Sequence, residues 1–321
     1  MANGLWTTRD SYQAQTKVLE AAFTNASNAI PLLYPKLFNV WDTDPTRSFA
    51  SVLPIAELGL LHQRSAEGAA FATDCPTELI PVTFPYQTYG LSSYITEEAL
   101  LEDPLHTFES LPAMLANSEK FTKDLLVWNT LNLAFSNLVP GSDGLPLCAT
   151  NHPIGPKLTS VGIRSLTGQT FSNSLVTAPL NPESLRQAEI LFEELITDKG
   201  MPDRRTPKYL VCSPQLAKTA QEVIGTPKGL YTNTGTINTA CNTYEIMPVR
   251  YLTSPTAWFL ASGTGDFLSG GDTNSLVVGY KWQNRVKSWY EEPTGNFGIR
   301  TSMRLTYGFI NWRGIVGSLG S

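Results

Sequence analysis

Between Pro112 and Pro140-Gly141 the sequence reads as one long helix, and that helix constrains everything else the chain can do. Proline lacks an N–H and clashes with a preceding turn, so Pro112 most simply stands at the first helical position, with Ser110 or Leu111 as the cap region. Leu115, Phe121, Leu125, Trp128, Phe135 and Leu138 recur at steps of three, four or their multiples, while Asn117, Lys120, Lys123 and Asp124 lie mostly elsewhere. A helix over about 112–139 is a rod of about 40 Å, long for a compact domain. Ahead of it, residues 95–103 predict a short helix with Thr96 as its cap and carboxylates in its first turn.

The flanks are of two kinds. Residues 11–29 predict a modest helix, and the proline-spaced apolar run 30–41 that follows cannot close a core alone, so it reads as an arm lying along another surface. Residues 42–95 alternate short strand-like pieces (49–55, 78–84, 88–95) with turns. The economical reading is a two-stranded excursion, which is marginal in water and needs a partner surface. Beyond the long helix, Asn181-Pro182-Glu183 caps a helix with Leu185, Ala188 and Phe192 on one face. Residues 209–212 predict a strand, and a second helix follows Ser213-Pro214. The strongest strands are 276–289 and 297–310. In the latter Phe297, Ile299, Met303, Leu305, Tyr307 and Phe309 alternate with Gly298, Arg300, Ser302 and Arg304, which predicts an apolar face packed on the long helix and both arginines on the other face.

Composition removes several function classes. A chain of 321 residues, 42% hydrophobic, can bury a real core. No run reaches the ~18 apolar residues of a membrane span, and the start Met-Ala-Asn-Gly-Leu-Trp lacks a signal-peptide pattern, so a soluble product made and kept in the cytoplasm is expected. Four scattered cysteines form no Cys-x-x-Cys pair, and three histidines stand at no metal-ligand spacing, so no metal, cofactor or disulfide framework is expected. The glycine-rich stretches 262–265 and 269–272 lack the Gly-Lys-Ser/Thr ending of a nucleotide loop. Ser142, Asp143 and His152 invite a hydrolase reading, but no Gly-x-Ser-x-Gly elbow frames the serine. Net charge is −5, unevenly placed: residues 42–119 hold twelve acids and two bases, whereas residues 281–321 hold six bases and two acids. Complementary fields of that kind fix register between partners. An acidic chain with no basic stripe of interleaved aromatics is not expected to read nucleic acid.

The order of arm, excursion, long helix, α/β portion and closing strands resembles the tailed-bacteriophage major capsid proteins of the Hong Kong 97-type fold, and is most similar to the branch of the Mu-like major head subunits. The motifs that carry the resemblance are Ile95-Thr96-Glu97-Glu98-Ala99-Leu100-Leu101-Glu102-Asp103, Asp143-Gly144-Leu145-Pro146-Leu147 with Asn151-His152-Pro153, Pro207 to Pro214, and Trp312-Arg313-Gly314 with Gly317-Ser318. The resemblance implies an α+β fold with an N-terminal arm (1–41), an extended loop (42–95), a peripheral domain (96–180) with a spine helix over about 112–139, an axial domain (181–275), and C-terminal strands (276–321) returning to the peripheral domain. It also implies no catalytic residue, and a function as a head protein that assembles as pentamers and hexamers into an icosahedral shell around double-stranded DNA. The implied partners are further copies of the chain, a separate scaffolding protein, a portal and a cement or decoration protein, with the virion as location and the host cytoplasm as the place of assembly. The expected subunit-interface residues are Trp41, Arg47, Arg64, Glu67, Arg285, Arg300 and Arg304. Some relatives weld subunits through an extended-loop lysine, but no lysine lies between Lys36 and Lys120, so that bond is expected to be absent. Two alternatives stand beside this reading: an encapsulin-type compartment around a cargo enzyme, and a serine or cysteine hydrolase.

Overall fold

The computed structural model describes residues 8–42, 49–52, 61, 63–64, 66–71, 73–75, 81–96, 98–99, 110–154, 158–159, 162–163, 170–197, 201–225, 243–265, 274–291 and 293–321. Its first sheet grows from the period-two segment. Strands β12 (Leu276–Glu291) and β13 (Asn296–Phe309) pair antiparallel through a turn in which Gly295 adopts φ 67, a conformation that a side chain would strain. Strand β4 (Gln87–Ile95) lies antiparallel to β13, and β1 (Asn39–Asp42) lies parallel to β12, giving the order β1-β12-β13-β4. A second sheet has the order β10 (Glu245–Pro248), β9 (Tyr209–Cys212), β11 (Trp258–Ala261) and β14 (Ile315–Ser318). Strands β2 (Phe49–Val52) and β3 (Val82–Pro85) form a separate antiparallel ribbon at the base of the excursion, and two short ladders pair β5 (His152–Pro153) with β8 (Thr170–Phe171) and β6 (Leu158–Thr159) with β7 (Gly162–Ile163).

Helix α1 spans Thr8–Ala29 and the long helix, α2, spans Leu111–Asn132. Helix α2 packs on β13 as its alternation predicts, with Ile299, Met303 and Leu305 all buried. Two details differ from the sequence reading. The helix ends at Asn132 rather than near 139, because tertiary partners take its end: Asn132 donates to the Tyr251 carbonyl at 3.0 Å and accepts from the Thr253 N–H at 2.9 Å, and Cys148 N–H donates to Ala134 at 2.7 Å. The buried stripe is also rotated. Leu115, Glu119, Lys123, Val127 and Leu131 face inward, while Met114, Phe121 and Leu125 are more than half exposed. Glu119 and Lys123 can lie inside because they pair with each other at 2.6 Å. The Lys123 ammonium also donates to Asn284 at 2.7 Å, Thr301 donates to Glu119 at 3.1 Å, and Asn284 donates to the Ser27 hydroxyl of α1 at 3.2 Å.

The largest core cluster joins both sheets. Val127, Trp128 and Leu131 of α2 meet Val278, Met303 and Leu305 of the first sheet and Val211, Phe259 and Ala261 of the second. Helices α3 (Pro182–Glu193) and α4 (Ala217–Gly225) cover the opposite face of the second sheet, placing Leu185, Phe192 and Val223 against Leu210, Trp258 and Val316. Asn181 caps α3 as expected, accepting from the Ser184 N–H at 2.8 Å. At the end of the chain β14 pairs with β11, where a Cβ at Gly317 would stand 2.7 Å from the Phe259 ring.

Candidate assembly interface

The outward face of the first sheet is built by register. Ladder pairs set Trp289 opposite Gly298, Lys287 opposite Arg300, Arg285 opposite Ser302 and Trp282 opposite Arg304. On the other side of β13, Tyr94, Ser92, Gly90 and Thr88 stand opposite Gly298, Arg300, Ser302 and Arg304. Register shifts in β12 on either side of Trp282 bend that strand and aim the indole at this face, as bulges do. The guanidinium of Arg285 lies 4.5 Å from the Trp282 ring centroid and that of Arg304 lies 5.5 Å from it, while Arg300 lies 5.8 Å from Trp289. Trp289 covers Gly298, where a Cβ would stand 2.4 Å from the indole, and Tyr94 meets it edge-on at 5.4 Å. Each cation–π contact contributes about 0.5–1 kcal/mol at an exposed site. Among the described residues, Arg285, Lys287, Arg300 and Arg304 pair with no carboxylate. The sequence shows no basic stripe with interleaved aromatics, but strand pairing assembles one.

The remaining expected interface residues are spread out. Trp41 stands in β1 opposite Gly279 and packs, half-buried, against Phe84, Val277 and Ile310 of its own chain. Arg47 lies outside the described residues. Arg64 donates to the Ala69 carbonyl at 2.6 Å and its guanidinium lies 5.0 Å from the Phe71 ring centroid, with Glu67 exposed in the turn between them. Leu61 is 100% exposed and Phe71 74%, so the excursion carries large apolar side chains that face outward.

A phage capsid protein family model matches residues 82–318, which is most of the chain and includes α2, the second sheet, the first sheet without β1, and the basic face. The chain belongs to the phage capsid protein family. Among solved structures, this capsid protein is similar to the bacteriophage JBD30 capsid (TM-score 0.55, 16% identity, covering 70% of this chain and 92% of that one). It is also similar to the JBD30 procapsid (TM-score 0.53, 13% identity, 97% of this chain and 75% of that one) and to the capsid of cyanophage P-SCSP1u (TM-score 0.57, 9% identity, 91% and 88%). At such identities the likeness speaks to fold, and the fold is the Hong Kong 97 type. No curated protein matches the chain.

The capsid protein's Ser142, Asp143 and His152 do not assemble as a hydrolase. His152 is fully buried; its Nδ1 lies 2.6 Å from Asp143 and its Nε2 lies 3.1 Å from the Asn173 amide oxygen, so both ring nitrogens are engaged and neither faces Ser142. Asn173 is held by donating to the Leu147 and Ile315 carbonyls, and the imidazole stacks on Trp312 at 4.3 Å. The group is a structural clasp between the loop after α2 and the strand that closes the second sheet. Burial pushes the Cys212 thiol up to about 11 and the Cys148 thiol higher still, which disfavours the reactive thiolate. Among the described residues no three His, Cys, Asp or Glu side chains group as a metal site, and no helix is long and apolar enough to cross a membrane.

Proposed function

We propose that many copies of this major capsid protein close an icosahedral head as pentamers and hexamers around phage double-stranded DNA, with the acidic excursion of one copy lying over the basic face of the next. The observation that carries this reading is a sheet face of four bases, paired with no carboxylate among the described residues and interleaved with tryptophans, in a chain whose excess acid lies in residues 42–119. Arg285, Arg300 and Arg304 would meet carboxylates there, and Arg64 and Glu67 would act from the excursion. Each contact is worth little alone, but a closed shell breaks only when many break together. A separate scaffolding protein, a portal and a cement protein complete the head, which is assembled in the host cytoplasm. The motif order supports a kinship with the Mu-like head subunits.

Electron microscopy with sedimentation of the purified protein, expressed alone and with a scaffolding protein, tests the reading. Uniform shells, tubes or six-fold rings are expected. A monomer or dimer in both conditions would overturn it.

A further inference from the structure

Residues on one face of β13 recur every second position, about 7 Å apart along the strand. On the outward face the ladders turn this into four successive rows: Trp289 in the first, Arg300 with Lys287 in the second, Arg285 in the third, and Arg304 with Trp282 in the fourth. Cations therefore fill the middle of the face and an indole stands at each end. Their neighbours in β4, Ser92, Gly90 and Thr88, are small and uncharged, and Arg285, Lys287 and Arg300 are exposed. No acid stands in any of these rows, so the net charge of −5 does not oppose an anion here.

Helices α1 and α2 pack on the opposite face of the sheet, so the rows are carried on a braced layer. The fourth row is also short of acceptors. The Trp282 indole N–H and the Arg304 Nε are buried and have no hydrogen-bond partner among the described residues. Unmet donors beside a guanidinium favour a ligand rich in anionic oxygen. A peptide carboxylate would use the cations and leave the ring faces idle, and a duplex hides the faces of its bases. A single strand offers both, with successive phosphates at a step comparable to the row spacing. Open four-stranded sheets backed by helices bind such strands by stacking bases on aromatic rings and tracking phosphates with cations.

We infer that in the free subunit this face binds single-stranded nucleic acid, with phosphates on Arg285, Lys287, Arg300 and Arg304 and bases against Trp289 and Trp282. Contacts of this kind follow backbone and ring faces, so the binding is tolerant of sequence. The inference does not rest on the shell-building reading. A neighbouring copy seated on the same face would exclude the strand, which makes the two occupants alternatives in time.

Fluorescence anisotropy of a labelled twelve-nucleotide oligothymidylate, titrated with the free subunit, is the direct test. Saturable binding is expected at about 50 mM salt, with log affinity falling against log salt at a slope of about −3, as four neutralised phosphates require. Absence of binding, or a flat salt response, overturns the inference. Arg300→Gln with Arg304→Gln should weaken binding about tenfold or more and bring the slope to about half. Trp289→Leu keeps an apolar cover over Gly298 and should weaken binding about fivefold or more with the slope unchanged. If that variant loses the circular dichroism or melting of the parent, quenching of the parent's tryptophan fluorescence by the oligonucleotide reads the same stacking. Binding without quenching, a folded Trp289→Leu protein that binds as the parent does, or polyglutamate of equal length competing as well as the oligonucleotide would each overturn the assignment to nucleic acid.

Discussion

Lys123 and Glu119 sit on the core side of α2 with side chains 2% exposed, and each depends on the other. Removing one partner leaves a buried charge without its counter-ion, so Lys123→Met should cost about 3–5 kcal/mol in denaturant unfolding of the free subunit. Replacing both, as Glu119→Leu with Lys123→Met, should recover most of that loss, since a packed apolar pair needs no desolvation of charge. Asp124 on the next position behaves differently. Desolvation pushes its carboxyl up from 3.8 to about 6, against the lowering effect of Lys120 and of hydrogen bonds from Trp128 and Tyr251. An acid with a raised folded pKa binds protons on folding, so its contribution is most favourable below 3.8 and erodes as pH rises toward about 6. Asp124→Asn should therefore melt higher than the parent at neutral pH, and the gap should close on acidification through that window.

Helix α2 shows why an element is easier to read than its ends. Its existence and its start at Pro112 follow from local chemistry, but its end does not. The stop at Asn132 is imposed by residues 251–253, more than a hundred positions away, through the two bonds of the Asn132 amide. Asn132→Ala removes both and should lower subunit stability by about 1–3 kcal/mol, with faster hydrogen exchange over residues 251–253 as the local signature. The inward stripe was misread for a related reason: a polarity pattern places Lys123 outside and Phe121 inside, and cannot foresee that Glu119, one turn earlier, compensates the lysine. The period-two strand was legible because alternation states its own geometry. The proposed interface was legible only in part. Arg285, Arg300 and Arg304 are visible as a charge excess, but Trp282 and Trp289 join them through cross-strand register and through a bulge that nothing in the local sequence announces.

At the scale of the molecule, Arg285, Lys287, Arg300 and Arg304 meet no carboxylate among the described residues, which on the proposed reading leaves their charge to a neighbouring copy. Arg300→Glu together with Arg304→Glu should leave the subunit's melting near that of the parent while lowering the yield and salt resistance of shells. Unchanged assembly would remove these two arginines from the interface. Contacts of this type weaken beyond the Debye length, about 8 Å at physiological ionic strength, so shell formation should fall as salt rises, measured by light scattering. The parallel pairing of Asn39–Asp42 with residues 277–280 also sets a clock. On a ribosome adding about 5–20 residues per second, β1 waits roughly ten to fifty seconds for its partner to be made. During that interval the apolar run 30–41 has no sheet to join, so the nascent chain passes through a defined period of vulnerability in which a holding chaperone has its one clear opportunity to act.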